Sequence, residues 1–124
     1  MALALNARDL DRNSPAWRYL APHFLAGPIP PAIQKKIGVD EYLQHLSDMC
    51  TAYPEWKLRV VDQDVQQGGV KDYASVFTNV ENQGVPPGVV WQSCAISEFK
   101  NIDGQWLVVG FRGFSGGHGQ GTMF

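Results

Sequence analysis

KLRVVDQDV (57–65), KDYASVFTNVE (71–81), GVVWQSCAISEFK (88–100) and GQWLVVGFRGF (104–114) decide how this chain folds. All four are extended segments rich in Val, Phe, Trp and Tyr, which suit a pleated surface. Turn chemistry bounds each of them: Gln67-Gly68-Gly69, then Gln83-Gly84 with Pro86-Pro87-Gly88, then Asp103-Gly104. Glycine supplies positive φ and proline fixes φ, so these breaks have a mechanism. Before residue 56 the pattern is helical or loop-like. Helices followed by hairpin-linked strands predict an α+β fold with helices packed on one face of an antiparallel sheet. When such a sheet curls, it encloses space for a small molecule.

The clearest helix spans residues 39–53. Val39, Tyr42, Leu43, Leu46, Met49, Cys50 and Tyr53 recur at i, i+3, i+4, i+7, i+10, i+11 and i+14, one apolar face at a 3.6 period. Asp40 and Glu41 lie in the first turn, where the helix dipole favours them, and Pro54 stops the helix. Residues 2–11 carry a partial apolar stripe and start almost at Met1, as the end of a longer helix would. Ser14-Pro15 is a helix start, with Ser14 as cap and Pro15 at the first helical position, leading into a short helix over residues 16–21. GPIPP (27–31) reads as a loop, with one more helical turn expected over residues 32–37.

The chain has 124 residues, of which 44% are hydrophobic and 18% charged, as one globular domain would have. The domain is placed at residues 1–115, followed by a Gly-rich tail over 116–124 that is expected to be flexible. A net charge of −2 and no basic run between aromatics argue against nucleic acid as a partner. No apolar run approaches the roughly 20 residues of a membrane span, and MALALNARDLD makes a poor signal peptide. Cys50 and Cys94 read as buried free thiols in a reducing, cytoplasmic setting, with a disulfide as the alternative. His23, His45 and His118 are dispersed without ligand spacing, and no phosphate loop, nucleophile elbow or CxxC is present. The expectation is therefore no metal, nucleotide or other cofactor.

Strand parity nominates the chemistry. Leu58, Val60, Asp62 and Asp64 alternate onto one face of their strand. The two apolar members make that the core side and bring Asp62 to the pocket, where desolvation suits a general acid or base. The competing reading is a solvated rim carboxylate. Trp91, Ser93, Ser97 and Phe99 share one face of the long strand, as apolar wall and hydrogen-bonding groups or as simple sheet packing. Trp17 and Tyr53 look into the same space from helices. His23 is a second candidate acid–base group near the mouth, with a surface role as its competitor. Both faces of segments 71–81 and 104–114 are apolar, and the helices cover only one. A second copy of the chain is the economical cover for the other, with Tyr73, Phe77 and Trp106 pointing outward.

Several motifs occur in a familiar order: ALNARDLD, WRYLAPHF, an amphipathic helix ending in YP, LRVVDQDV, the GVPPG turn, and EFKNIDGQWL. Together they span roughly residues 4–114 and resemble SnoaL-like proteins of the nuclear transport factor 2-like superfamily. The resemblance implies a cone-shaped α+β barrel, with helices over a strongly curved antiparallel sheet. It also implies a pocket between them and homodimers through the outer sheet face. Family members include isomerases, polyketide cyclases, dehydratases (lyases) and non-catalytic binders. The expected activity is cofactor-independent proton transfer on an apolar polyketide- or terpenoid-like molecule. The alternative is a non-catalytic ligand- or protein-binding dimerisation module of the same fold. This chain departs from the catalytic members at HFLAGPIPP (23–31), at Ser97 and at LVVGF (107–111), where their acids and histidines stand.

Overall fold

The structure is a computed structural model and describes residues 2–30 and 33–115. Its elements are α1 (Ala2–Asn6), a 3-10 turn (Pro15–Trp17), β1 (Leu20–Ala26), α2 (Val39–Ala52), β2 (Lys57–Gln66), β3 (Tyr73–Gln83), β4 (Val90–Ile102) and β5 (Gln105–Ser115). They form an α+β fold around one five-stranded sheet in the order β1-β5-β4-β3-β2. The Gly-rich tail expected at 116–124 lies outside the described residues.

The four strands read from the sequence are β2 to β5, paired antiparallel in sequence order. Asp103 (φ 53°) and Gly104 (φ 84°) form the two-residue turn between β4 and β5. Positive φ at both positions suits the right-handed twist of a tight hairpin. Val39, Tyr42, Leu43 and Leu46 of α2 are buried, and Met49, Cys50 and Tyr53 pack beside them, so the predicted apolar stripe is the packed face. Ser14 caps the 3-10 turn, its Oγ accepting from Ala16 N–H with Pro15 at the first position. Cys50 and Cys94 are both free.

Three expectations need correction. Residues 20–26 form β1 rather than the end of a short helix, and β1 runs parallel to β5, so the sheet is mixed and not purely antiparallel. Pro22 is compatible with this because β1 is an edge strand. The helical turn expected at 32–37 is replaced over the described residues by the bridges Ala26↔Ile37 and Ile29↔Ile33. The first helix ends at Asn6 rather than Asp11, with Arg8 turning to φ 60°.

Two side chains fasten this N-terminal segment. Asn6 pairs with both backbone groups of Leu58: its Nδ2 donates to the carbonyl at 2.8 Å, and its Oδ1 accepts from the N–H at 2.9 Å. It thereby occupies part of the exposed edge of β2. Arg8 donates to the carbonyls of Leu5 (3.0 Å), Pro54 (2.9 Å) and Trp56 (2.7 Å). These bonds hold α1 over the open end of the curled sheet.

Two of the sheet's register shifts set which residues face the pocket. On β2 the ladder skips Val61 between Val60 and Asp62, and on β5 it skips Val109, because Gly110 pairs with Glu98 and Val108 with Phe99. A bulge inserts a residue, bends its strand and reverses the parity of everything beyond it. Val108 and Phe111 therefore both face the pocket, although simple alternation puts them on opposite sides.

Candidate functional site

Between α1, α2 and the concave sheet face lies a cavity of about 260 Å³. Ligand pockets usually span roughly 300–1,000 Å³, so this one suits a small ligand. Its sheet wall is Leu58, Val60 and Gln63 of β2; Val76, Thr78 and Val80 of β3; Ser93, Ala95, Ser97 and Phe99 of β4; and Val108 and Phe111 of β5. Ala2, Leu5, Trp17, Tyr19, Tyr42, Leu46 and Trp56 close it from the helical side. Among the described residues, no lining side chain carries a charge.

A buried hydrogen-bonded chain stiffens one end. Trp56 Nε1 donates to Asn82 Oδ1 at 3.1 Å, and Asn82 Nδ2 donates to Ser93 Oγ at 3.0 Å. All three residues are fully buried. Trp17 is held by its indole N–H, which donates to the Asp9 carbonyl at 2.7 Å. Tyr19 is held by its backbone carbonyl, which accepts from Val108 N–H at 2.7 Å. Tyr42 stacks obliquely between Phe24 and Phe111, with ring centroids 5.8 and 5.7 Å apart.

The pocket's phenols are perturbed by burial. Desolvation pushes Tyr19 up to about 12. Tyr42 is also pushed up, first by desolvation and then by the neighbouring Tyr19. Desolvation disfavours the charged form, so both phenols are proton donors at neutral pH and not bases. The Tyr19 hydroxyl is buried and has no hydrogen-bond partner among the described residues.

The catalytic placement expected for Asp62 is corrected by the β2 bulge. Val60 pairs with Val80 on the pocket side, but Asp62 pairs with Asn79 and Gln63 with Thr78. Parity has flipped, so Gln63 enters the pocket wall while Asp62 is exposed on the convex face, accepting from Asn79 Nδ2 at 2.7 Å. His23 is exposed on the edge strand β1 and does not line the pocket, so its expected acid–base role there also loses its geometry. Trp17, Ser93, Ser97 and Phe99 do line it. Tyr53 packs against the core outside the pocket wall. Trp91 donates to the Val85 carbonyl at 2.6 Å and likewise lies beyond the wall.

Sequence reasoning missed Tyr19, Gln63, Thr78 and Trp56 as pocket residues. Tyr42 was visible only as part of the α2 stripe. An aromatic beside the correctly read Ser14-Pro15 cap was the available signal for Tyr19, but reading 16–21 as helix hid its direction. Among the described residues, no group of three or more His, Cys, Asp or Glu is arranged to hold a metal ion. Among the described residues, no helix is long and apolar enough to cross a membrane.

No family model matches the sequence. No curated protein matches it either. Solved structures do match. A nuclear transport factor 2-like protein of unknown function from Pseudomonas putida superposes with a TM-score of 0.69 at 18% identity, over 98% of this chain and 82% of the other. The chain has the nuclear transport factor 2-like fold. A hexachlorocyclohexane dehydrochlorinase from Novosphingobium barchaimii shares this fold, with a TM-score of 0.76 at 12% identity, over 94% of this chain and 79% of its own. A ketosteroid isomerase-like protein from Erwinia carotovora also shares it, with a TM-score of 0.64 at 16% identity, over 94% of this chain and 88% of its own.

Proposed function

We propose that this protein binds a small, uncharged, largely apolar molecule in the cavity between its helices and the concave sheet face. The observation that carries this reading is the wall itself. Val60, Val76, Val80, Ala95, Phe99, Val108 and Phe111 supply a continuous apolar surface, and no charged side chain joins it among the described residues. A charged ligand buried there would lack a counter-ion, which is strongly unfavourable.

The second reading is an isomerase, cyclase or dehydratase acting by proton transfer. Two solved proteins of this fold support it by name, the dehydrochlorinase and the ketosteroid isomerase-like protein. In this chain the acid would be a pocket phenol, which polarises a substrate oxygen by hydrogen bonding. The base would have to come from the substrate or from water, because the polar groups of the described wall are phenols, hydroxyls, an amide and indoles. Binding is therefore the function the geometry supports first.

Self-association through the convex sheet face accompanies either reading. Phe77 and Phe114 meet edge-to-face there at 6.3 Å and remain 38% and 42% exposed. Tyr73 and Ile96 lie on the same face by register. Trp106, expected outward, pairs with Asn101 and so falls on the pocket side of the sheet end.

Filling the cavity tests the binding site. Ala95 sits mid-wall on β4, and Ala95→Phe projects a ring into the open volume. Intrinsic tryptophan fluorescence, with Trp17 and Trp56 in the wall, reads the binding of naphthalene-type probes. Binding should fall at least about tenfold while circular dichroism stays native. Unchanged binding by the folded variant places the ligand elsewhere.

A further inference from the structure

Gln63 is the only amide side chain in the described cavity wall. The β2 bulge puts it there: the ladder skips Val61, and Gln63 pairs with Thr78 on the concave side. A hydrogen bond locates the amide itself, because Gln63 Nε2 donates to Thr78 Oγ1 at 3.4 Å. Thr78 stands between Val76 and Val80 on one face of β3, and all three line the cavity. The head of Gln63 is thus laid over the concave face and not out past the strand. This end of the cavity is open. Gln63 is exposed and Val60 beside it is 41% exposed, whereas Val108 across the sheet is 1% exposed. Strand β2 is also an edge of the sheet. The cavity therefore meets solvent beside Val60 and Gln63.

We propose that Gln63 and Thr78 form a polar clamp at the cavity mouth, and that the ligand is an apolar alcohol, bound with its hydrocarbon end inward and its hydroxyl against this pair. This rests on the binding function proposed above and specifies the ligand's polar group and its orientation. The chemistry follows from what the pair has left to offer. Their mutual bond uses one N–H of Gln63. The second N–H and the Thr78 hydroxyl proton remain as donors, and the Gln63 carbonyl oxygen remains as an acceptor. A ligand hydroxyl both donates and accepts, so it meets both kinds of group. A carboxylate only accepts and an ammonium only donates. Neither finds a counter-ion, because no charged side chain joins the described wall. Asp62 and Asp64, adjacent along β2, pair with Asn79 and Phe77 on the opposite face, where Asn79 and Gln66 donate to their carboxylates.

Ser97 is the rival for this role. It lines the cavity and is half-buried on the same sheet face. It pairs with Val76 on one side and Phe111 on the other, so it stands mid-sheet and not at the open edge. A polar group held by Ser97 would be enclosed, whereas one held by Gln63 would lie at the mouth, and the test separates the two.

The probes are naphthaleneethanol, ethylnaphthalene, naphthaleneacetate and naphthaleneethylamine, which share a skeleton and carry a hydroxyl, no polar group, a carboxylate and an ammonium. Dissociation constants are measured for the native chain, Gln63→Leu and Ser97→Ala. The alcohol-to-hydrocarbon affinity ratio is compared between proteins, which cancels the probes' different hydrophobicity. That ratio should fall about three- to tenfold in Gln63→Leu, the scale of one neutral hydrogen bond, and stay unchanged in Ser97→Ala. Gln63→Leu should keep a native circular dichroism spectrum, because the residue is exposed on an edge strand. Both charged probes should bind the native chain more weakly than the alcohol. Extending the alcohol by one ethylene glycol unit should change its affinity by less than about threefold, since the added atoms leave through the mouth. An unchanged ratio in Gln63→Leu, or a ratio lost only in Ser97→Ala, overturns the assignment and leaves the pocket reading standing. Loss of binding on glycol extension overturns the orientation, and tighter binding of either charged probe overturns the alcohol class. If neither neutral probe binds the native chain, the apolar-pocket reading itself fails and the inference falls with it.

Discussion

Replacing Asn82 with Leu should destabilise the protein out of proportion to the size of the change. Asn82 is wholly inaccessible, and its amide serves two partners at once, the Trp56 indole N–H at 3.1 Å and Ser93 Oγ at 3.0 Å. Leucine keeps the same branching of four side-chain heavy atoms, with methyl groups bulkier than the amide ends they replace. It cannot accept from Trp56, whose side chain is 1% exposed and so cannot turn to water. One buried donor left unpaired costs about 1–3 kcal/mol. Loss of the second bond adds about 1 kcal/mol, since Ser93 can still reorient its hydroxyl toward the cavity. The sum is about 2–4 kcal/mol. For a chain of this size that corresponds to a melting temperature lower by roughly 10 °C. Urea unfolding followed by tryptophan fluorescence gives the free energy, and a thermal scan gives the shift. Combining Asn82→Leu with Trp56→Phe removes the orphaned donor, so the double variant should lose less than the sum of the singles. A loss below about 0.5 kcal/mol for Asn82→Leu, or strict additivity in the pair, would refute the claim that this network is a coupled buried unit.

Two further outcomes follow from the same geometry. Burial raises the folded-state pKa of Tyr19 from 10.0 to about 12 and also raises that of Tyr42. Below pH 10 both states hold these protons. Between pH 10 and 12 the unfolded chain releases them while the folded chain keeps them, so stability should fall across that window. Thermal melts over this range should show a shallower fall in Tyr19→Phe; parallel curves would contradict a desolvated phenol. On the convex face, Phe77→Asp should convert a dimer to a monomer in sedimentation without altering probe binding, because Phe77 faces away from the cavity. A native chain that is monomeric at tens of micromolar, roughly the range in which weak interfaces hold, would remove the interface.

Much of the scaffold was legible because it is local. The α2 stripe is a matter of spacing along one helix. The positive φ at Asp103 and Gly104 is a matter of turn chemistry. Hydrophobic runs between glycines and prolines located all four antiparallel strands. Strand β1 was hidden for two reasons. Its partner β5 lies more than eighty residues downstream, near the far end of the chain. Its Pro22 also speaks against a strand until the strand is known to be an edge. The apolar convex face was visible as an excess of hydrophobic positions.

The pocket's composition was decided at the level of pairing. Residue identity and alternation determined by themselves that a strand near Leu58 would turn Val60 inward. They could not determine that the ladder between Val60 and Asp62 skips a residue, because a bulge is set by the register of β2 against β3. That single insertion moves a carboxylate out to the convex face and brings the amide of Gln63 to the cavity. Gly84 shows the same division. Its place in a turn is plain from the sequence, but its close approach is tertiary, since a Cβ there would sit 2.4 Å from the Glu55 carbonyl oxygen. Tyr19 joins the cavity wall for the same kind of reason, because the start of β1 is laid beside β5, where the Tyr19 carbonyl accepts from Val108 N–H. Sequence carries the periodicity of each element. The direction of a side chain at a site depends on how elements are registered against one another, and that is fixed only when the sheet closes over its core.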